Sequence, residues 1–405
     1  MLKRYFLNNK KRNFSTASIW IKGGSDMDST GKKGINKILC SLLTRGCEGF
    51  NNFTLSEYIE SYGAELNQEI FEDGISISIK SLNEHFSKLF PLLDLIINKP
   101  ILSETEFKKV KKSSIDHIKK DKENPFNICF EKWRKIVYSN HPYAFNTIGN
   151  ANDVSKITYE DVLLEFKNLK NREKYLISNN PEINGENFGT LEKKILKEKS
   201  DPLNHNLNTT NRFDYINNDS NQTIIMMGDQ TCSRRSSEYF PLKVLESYLS
   251  YGMSAALFKL FREKHGITYD LGVYYPIRSG NAPFLIYLSV SNDQALFAFE
   301  LLSTLWKNLL LNPLTDAEIF LAKEKLKGSF LLGNQSLDEI LQRKIQLVSY
   351  GISPISENDL NSKIEEISSL DILKLTNKYF SKPFLSISGN KNICLEISNR
   401  WKKNF

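Results

Sequence analysis

The chain is short of histidine, short of cysteine, without a long apolar run and without a strong excess of one charge, and each shortage removes a class of protein. Its five histidines, His85, His117, His141, His205 and His265, form no H-x-x-H or H-x-x-x-H pair. No helix face therefore offers two imidazoles to one metal ion. The five cysteines, Cys40, Cys47, Cys129, Cys232 and Cys394, are odd in number and scattered, with no C-x-x-C pair. That excludes a disulfide framework and a thiolate zinc site, and points to a reducing compartment. No apolar run approaches the ~18 residues that span a bilayer; the best candidates, Ala295–Phe299 and Leu309–Leu311, stop at Glu300 and Asn312. With 54 Lys+Arg against 47 Asp+Glu, the net charge of +7 is spread over 405 residues, far from the dense basic face of a nucleic-acid binder. No nucleic-acid partner and no transmembrane segment are expected.

What is plentiful is also informative. Forty per cent hydrophobic residues, with 25 Phe and 17 Tyr, suffice for a sizeable core in more than one domain. The N-terminus, MLKRYFLNNKKRN, is basic but lacks the apolar stretch of a secretory signal, so a solvated tail is expected. Heavy use of Lys, Asn and Ile suggests an AT-rich coding genome. The expected location is accordingly a soluble, reducing compartment, either organelle stroma (plastid) or cytoplasm.

The order of elements is written twice. In the first half a strand alternating from Ile75 to Ile79 is followed by the helical pattern HFSKLFPLLDLIINK. That pattern ends near Pro100, and Ser103 with Glu106 opens a new helix. In the second half the strand Phe284 to Val290 is followed by QALFAFELLSTLWKNLL, which ends near Pro313 before Thr315 and Glu318. Both openings are S/T-x-x-E capping boxes, each preceded by a proline and a leucine. Upstream, strands at Ala17 and Thr223 precede apolar-periodic helices, Ile35 to Thr44 and Leu242 to Leu249. Second helices follow around Leu55 to Tyr62 and Ala256 to Lys264, stopped by Gly63 and Gly266. The fold class expected is α+β, with two homologous domains, each a mainly antiparallel sheet packed against helices. The boundaries expected are 1–184 and 223–405, joined by the polar stretch 185–222, within which LEKKILKEK reads as a short helix.

Several strings together resemble the pitrilysin/insulinase-type metallopeptidases, in the branch that includes mitochondrial processing peptidases. They are Trp20-IKGGSDMDSTGKKGINKILCSLLTRG, Tyr62-GAELNQE, Lys122-ENPFN with Asn140-HPYAFNTIGN, and Ser254-AALFKLFREKHGITYDLGV, covering roughly Ser15 to Ser349. The resemblance implies that the first helix should carry His-x-x-Glu-His, with two zinc-binding histidines and a general-base glutamate. Aligned through Gly34 and Gly46, Lys37, Cys40 and Ser41 stand at those three positions, and His117 stands where the third ligand belongs. An ammonium has no lone pair to give a metal, a serine hydroxyl is a poor ligand, and a thiol replaces the carboxylate base. No metal and no cofactor are expected on this chain, and zinc only on a partner.

The resemblance also implies that an arginine and a tyrosine of the second domain hold the substrate backbone and support the reacting carbonyl. In FREKHGITY these are Arg262 and Tyr269, both donors suited to a developing oxyanion. Asn67 in ELNQEI matches the position where the family's peptide adds as an extra strand, and Glu65, Glu69, Glu72 and Asp73 read as an acidic rim around it. The function these expectations favour is a non-catalytic, peptide-binding subunit of a two-component zinc peptidase. Its partners would be a zinc-bearing homologous subunit and an unfolded peptide, the chain being inactive on its own. Two alternatives stay open: a structural or assembly protein that keeps the fold without a role in proteolysis, and an enzyme with replaced chemistry built on the Cys40 thiol.

Overall fold

Ile75, Ile77 and Ile79 point to one face of their strand and Ser76 and Ser78 to the other, and this period of two organises the first unit. The computed structural model describes residues 2–7, 13–187, 211–268, 270–333, 336–352 and 357–405. The first half runs β1 (Leu2–Phe6), β2 (Phe14–Lys22), α1 (Ile35–Leu43), α2 (Asn52–Ser61), β3 (Glu65–Ile70), β4 (Gly74–Leu82), α3 (Phe86–Leu89), α4 (Pro91–Asn98), α5 (Glu104–Asp121), α6 (Pro125–Tyr138), α7 (Ala151–Lys156), α8 (Tyr159–Asn171), β5 (Lys174–Ser178) and β6 (Glu186–Asn187). The second half runs β7 (Phe213–Asn217), β8 (Gln222–Gln230), α9 (Tyr239–Ser250), a π-helical segment (Phe258–Lys264), β9 (Asp270–Tyr274), β10 (Pro283–Ser291), α10 (Ala295–Leu311), α11 (Asp316–Leu332), α12 (Leu337–Ser349), α13 (Glu357–Glu365), α14 (Ser369–Phe380), β11 (Phe384–Gly389) and α15 (Lys391–Asn404).

The repeat is visible in the sheets. One has the order β3-β4-β2-β5-β1-β6, and the other the order β9-β10-β8-β11-β7. Apart from β6 they correspond strand for strand. In each the long central strands pair antiparallel, while β1 runs parallel to β5 and β7 parallel to β11. The expected class, two homologous α+β domains with mainly antiparallel sheets against helices, is what forms.

The two faces of each sheet are covered differently. In the first unit Ala17, Ile19 and Ile21 of β2 pack with the β4 isoleucines against α1, α4, α5 and α8. The opposite face carries Trp20, Tyr5, Tyr175 and Ile177, and these pack under Leu337, Leu341, Ile345 and Val348 of α12. Small side chains let the helix approach: Ser18 and Ser76 touch across the strands at 3.3 Å. Asp338 ties α12 down, accepting from Thr16 Oγ1 at 2.7 Å and Lys80 Nζ at 3.1 Å. The second unit mirrors this with α6, which packs on β7, β8 and β11. There Ser386 Oγ donates to the Cys129 carbonyl at 3.0 Å, and Phe126 meets Tyr287 edge-on at 5.2 Å.

Each compact unit therefore borrows a helix from the other half of the chain. The first comprises residues 1–120, 145–200 and 333–355, and the second 121–144, 201–332 and 356–405. This corrects the continuous halves 1–184 and 223–405 read from the sequence. An amphipathic helix records that it has an apolar face, not which sheet it covers. The stretch 185–222 also needs correction: β6, β7 and the start of β8 fall inside it and join the sheets. The short helix expected at LEKKILKEK lies outside the described residues. The N-terminus is not a solvated tail at Leu2–Phe6, because β1 pairs with β5 and buries Tyr5. One expected helix is split, since Pro91 has no N–H to continue α3 into α4.

The helix punctuation follows the sequence closely. Gly63 and Gly266 sit at φ +59° and +63°, where they end their helices. Thr315 and Glu318 form both bonds of their box, at 3.3 and 2.9 Å. At Ser103 the serine hydroxyl accepts from the Glu106 N–H at 3.1 Å. The Glu106 carboxylate, however, turns to Arg45 and Lys109, at 2.9 and 2.7 Å.

Leu341 is fully buried at the centre of the borrowed face. Leu341→Ala is expected to destabilise the first unit by about 2–5 kcal/mol. Hydrogen exchange should quicken in β2 and β5 while β8 and β11 stay protected. An equal loss of protection in both sheets would contradict this assignment of α12.

Candidate functional site

The first helix places the motif positions by its own geometry. Ile35, Ile38, Leu39 and Leu42 recur at helical spacing and face the core. Lys37, Cys40 and Ser41 then fall three and four residues apart, along one line of the helix. Gly34, at φ +102°, starts the helix where a β-carbon would strike the Ile148 carbonyl oxygen at 2.8 Å.

The orphan N–H groups of that first turn are met by a residue outside the helix. The Asp28 carboxylate accepts from the Gly34 N–H at 2.6 Å, the Asn36 N–H at 3.1 Å and Asn36 Nδ2 at 2.8 Å. Burial pushes its carboxyl above the usual range, against the pull of these bonds. Lys33 Nζ donates to the Asp28 carbonyl at 2.6 Å. Arg172 Nη1 donates to the Gly23 carbonyl and Asn36 Oδ1, each at 3.0 Å, and also pairs with Glu165. Sequence reading missed Asp28, because a cap seven residues before Ile35 is visible only once the loop has folded.

The motif positions themselves do not make a metal site. Cys40 is fully buried, and loss of water pushes its thiol up to about 12; the Lys37 ammonium lowers it and the Glu69 carboxylate raises it. Sealed from water and protonated at neutral pH, it is not a ready nucleophile. Lys37 and Ser41 are half-buried, and His117 is exposed on α5. A cation, a protonated thiol, a hydroxyl and one imidazole open to water do not fit zinc. Among the described residues no group of three or more His, Cys, Asp or Glu could hold a metal ion.

Beside this helix lies the edge of the first sheet. Among the described residues β3 pairs only with β4, in the register Glu65↔Lys80, Asn67↔Ser78 and Glu69↔Ser76. Asn67 is exposed, as are Glu65, Gln68 and Glu69. The acidic rim is smaller than the sequence suggests. Glu72 and Asp73 are each only 6 % exposed, because the β3–β4 turn folds under the loop that precedes α1. There Asp73 accepts from the Tyr350 hydroxyl at 2.8 Å, and the Gly23 N–H bonds the Asp73 carbonyl at 2.8 Å. Glu65 and Glu69 remain as the outward acids, and Gln342 Nε2 reaches Glu69 at 3.2 Å.

In the second unit Arg262 lies on the π-helical segment, a wider turn than the helix expected there and one often found at functional positions. Its side chain is exposed and its guanidinium rests 4.9 Å from the Phe258 ring centroid. The segment closes through Gly266 N–H to the Arg262 carbonyl at 3.1 Å and Ile267 N–H to the Phe261 carbonyl at 2.9 Å. Tyr269 lies outside the described residues. β9 follows, and it is the edge strand of its own sheet.

Comparison with known proteins bears on the family and the fold. Residues 4–151 match the family described as Insulinase (Peptidase family M16), and residues 182–326 match the Peptidase M16 inactive domain. An uncharacterized zinc protease of Rickettsia felis is 23% identical over 370 residues, covering 89% of this chain and 88% of its own. The uncharacterized zinc protease YmxG of Bacillus subtilis is 22% identical over 412 residues, covering 96% and 99%. Among solved structures, a peptidase M16 inactive domain from Pseudomonas fluorescens superposes with a TM-score of 0.80 at 19% identity, covering 96% of this chain and 95% of its own. A protease from Helicobacter pylori gives 0.82 at 17% identity, covering 95% and 96%. The relatives are bacterial and lend no support to a plastid location. Among the described residues no helix is long and apolar enough to cross a membrane.

Two outcomes are expected from the site's electrostatics. Asp26, in the loop before α1, accepts from the Gly24 N–H at 2.7 Å. Removal from water, aided by the charge of Asp73, pushes its carboxyl from 3.8 to about 7. Between those values the folded chain keeps a proton that the unfolded chain has lost, so stability falls as pH rises across this window and levels above it. Asp26→Asn keeps the acceptor and cannot ionise. Its denaturation midpoint should match the parent near pH 4 and exceed it above pH 7; parallel curves would refute the assignment. All five cysteines are buried, so a charged thiol reagent at pH 8 should label none before denaturation. Rapid modification of Cys40 would reopen thiol chemistry.

Proposed function

The chain belongs to the insulinase family of peptidases, family M16, as a member without the zinc motif, and from that membership we propose that it is a peptide-binding, non-catalytic subunit completing the active site of a zinc-bearing partner. The observation that carries this reading is the contrast on α1 and β3. Where the family resemblance expects metal ligands the helix holds Lys37, Cys40 and Ser41, a set that does not fit zinc, while the adjacent edge strand has exposed residues around Asn67.

In this reading an extended peptide adds to the β3 edge. Main-chain bonds supply affinity there and side-chain pockets supply selection. Glu65 and Glu69 favour peptides with basic residues. Arg262 and Tyr269 act on the scissile carbonyl held at the partner's zinc, donating to the oxygen as negative charge develops. The chain alone then has no hydrolytic activity, and a heterodimer has it. The exposure of Arg262 is consistent with a group that meets its target only in the complex.

The deciding experiment mixes the purified chain with a zinc-bearing homologous subunit and follows hydrolysis of an unstructured basic peptide. The mixture is expected to cleave and the chain alone to be inactive and free of stoichiometric zinc. Arg262→Ala should lower kcat of the mixture by about a hundredfold, the usual cost of one oxyanion donor. A fully active Arg262→Ala complex would remove this role and leave the fold as a scaffold.

A further inference from the structure

The second unit contains a cavity for which the proposed role has no use. It opens among α9, the π-helical segment, α10 and α11, with a volume of about 390 Å³. That is within the range of small-molecule sites. Leu260, Leu301 and Leu305 line it, and each remains only half-buried. The fold thus leaves aliphatic surface open to water at the bottom of a concavity.

The charged groups around this surface are unbalanced. Lys259 and Lys264 from the π-helical segment and Lys325 from α11 converge on the opening. Among the described residues none of the three ammonium groups has a hydrogen bond or an ion pair within 4.0 Å. The one carboxylate in the lining, Glu318, feels the charge of Lys259, leaving Lys264 and Lys325 without a matching acid there, and its oxygens are already engaged. It accepts from the Tyr248 hydroxyl at 3.0 Å, and from the Thr315 N–H and hydroxyl at 2.9 and 2.8 Å. Lys259 also acts on Lys325, whose ammonium is held below its ordinary value by burial and by that like charge. An anion placed between them would relieve the repulsion and find donors that are free to bind it.

The walls indicate what kind of anion. They are helices, whose backbone N–H and C=O groups are largely consumed internally. A peptide would find few main-chain partners there. A ligand with one charged end and a plain hydrocarbon body needs none. We propose that this cavity binds a small amphipathic anion, a carboxylate on an aliphatic tail, with the tail on Leu260, Leu301 and Leu305 and the carboxylate between Lys259 and Lys325.

Isothermal titration of the full chain with sodium decanoate tests this, with decanol and decyltrimethylammonium as tail-matched neutral and cationic controls. Decanoate is expected to bind saturably at one site, and both controls about tenfold more weakly or less tightly still. The double variant Lys259→Met and Lys325→Met, checked for folding by circular dichroism, should lose at least about tenfold in decanoate affinity. Leu305→Ser should weaken decanoate while leaving the preference over decanol in place. Equal binding of decanol, unchanged affinity in the folded double variant, or no saturable binding of decanoate would each overturn the proposal. So would tight binding at these lysines of an acidic, leucine-bearing peptide when decanoate does not bind.

Discussion

A sheet with apolar side chains on both faces must be covered twice, and in this protein the second cover comes from the wrong half of the chain. Trp20, Tyr175 and Ile177 would face water if α12 were absent, and Ser386 with its neighbours would lose α6. Burial of these faces is the main favourable contribution available to each unit. It also decides which small residues are tolerated in the strands. Ser18 and Ser76 would be a poor choice for a strand packed only on its own neighbours. Beneath a helix they set the approach distance, and Gly74 does the same for Trp20, since a β-carbon there would lie 2.2 Å from the indole.

The site inherits this scaffold and departs from it in chemistry only. α1 has a buried face, a glycine start and the Asp28 carboxylate on its first turn. Where the family resemblance expects a metal motif, the helix carries Lys37, Cys40 and Ser41. A metal requires several good lone-pair donors at one point in space, and an ammonium, a sealed thiol and a serine hydroxyl do not make such a set. A peptide edge asks for less: unpaired backbone and room beside it. The first requirement rests on particular side chains, whereas the second belongs to the β3 backbone rather than to any single side chain.

Much of the element order is legible in the sequence because its signals are local. The alternation of GISISI, the boxes at Ser103 and Thr315 and the stops at Gly63 and Gly266 all act within a few residues. The failures share the opposite property. LKRYF reads as a basic tail, and only the pairing of β1 with β5 gives Tyr5 a core to enter. Glu72 and Asp73 read as part of a rim, and only the folded loop shows that the turn beneath them is covered. The exchange of α6 and α12 depends on contacts hundreds of residues apart, to which amphipathic period is blind. Of the site, the absence of a His-x-x-Glu-His motif from α1 was legible in the sequence. The support from Asp28 and the π-helical setting of Arg262 were not.

The exposed edge has a bearing on self-association. An unpaired strand is a template for any other strand, including its own copy. Two β3 edges meeting antiparallel about Asn67 would set Glu65 of one against Glu69 of the other, and the same pair again on the far side. Like charges directly opposed across strands are destabilising. The acids flanking Asn67 therefore discourage the edge from pairing with itself, while a strand bearing basic residues is spared that cost. In the proposed role, the two side chains that would favour a basic strand also oppose pairing of this edge with its own copy.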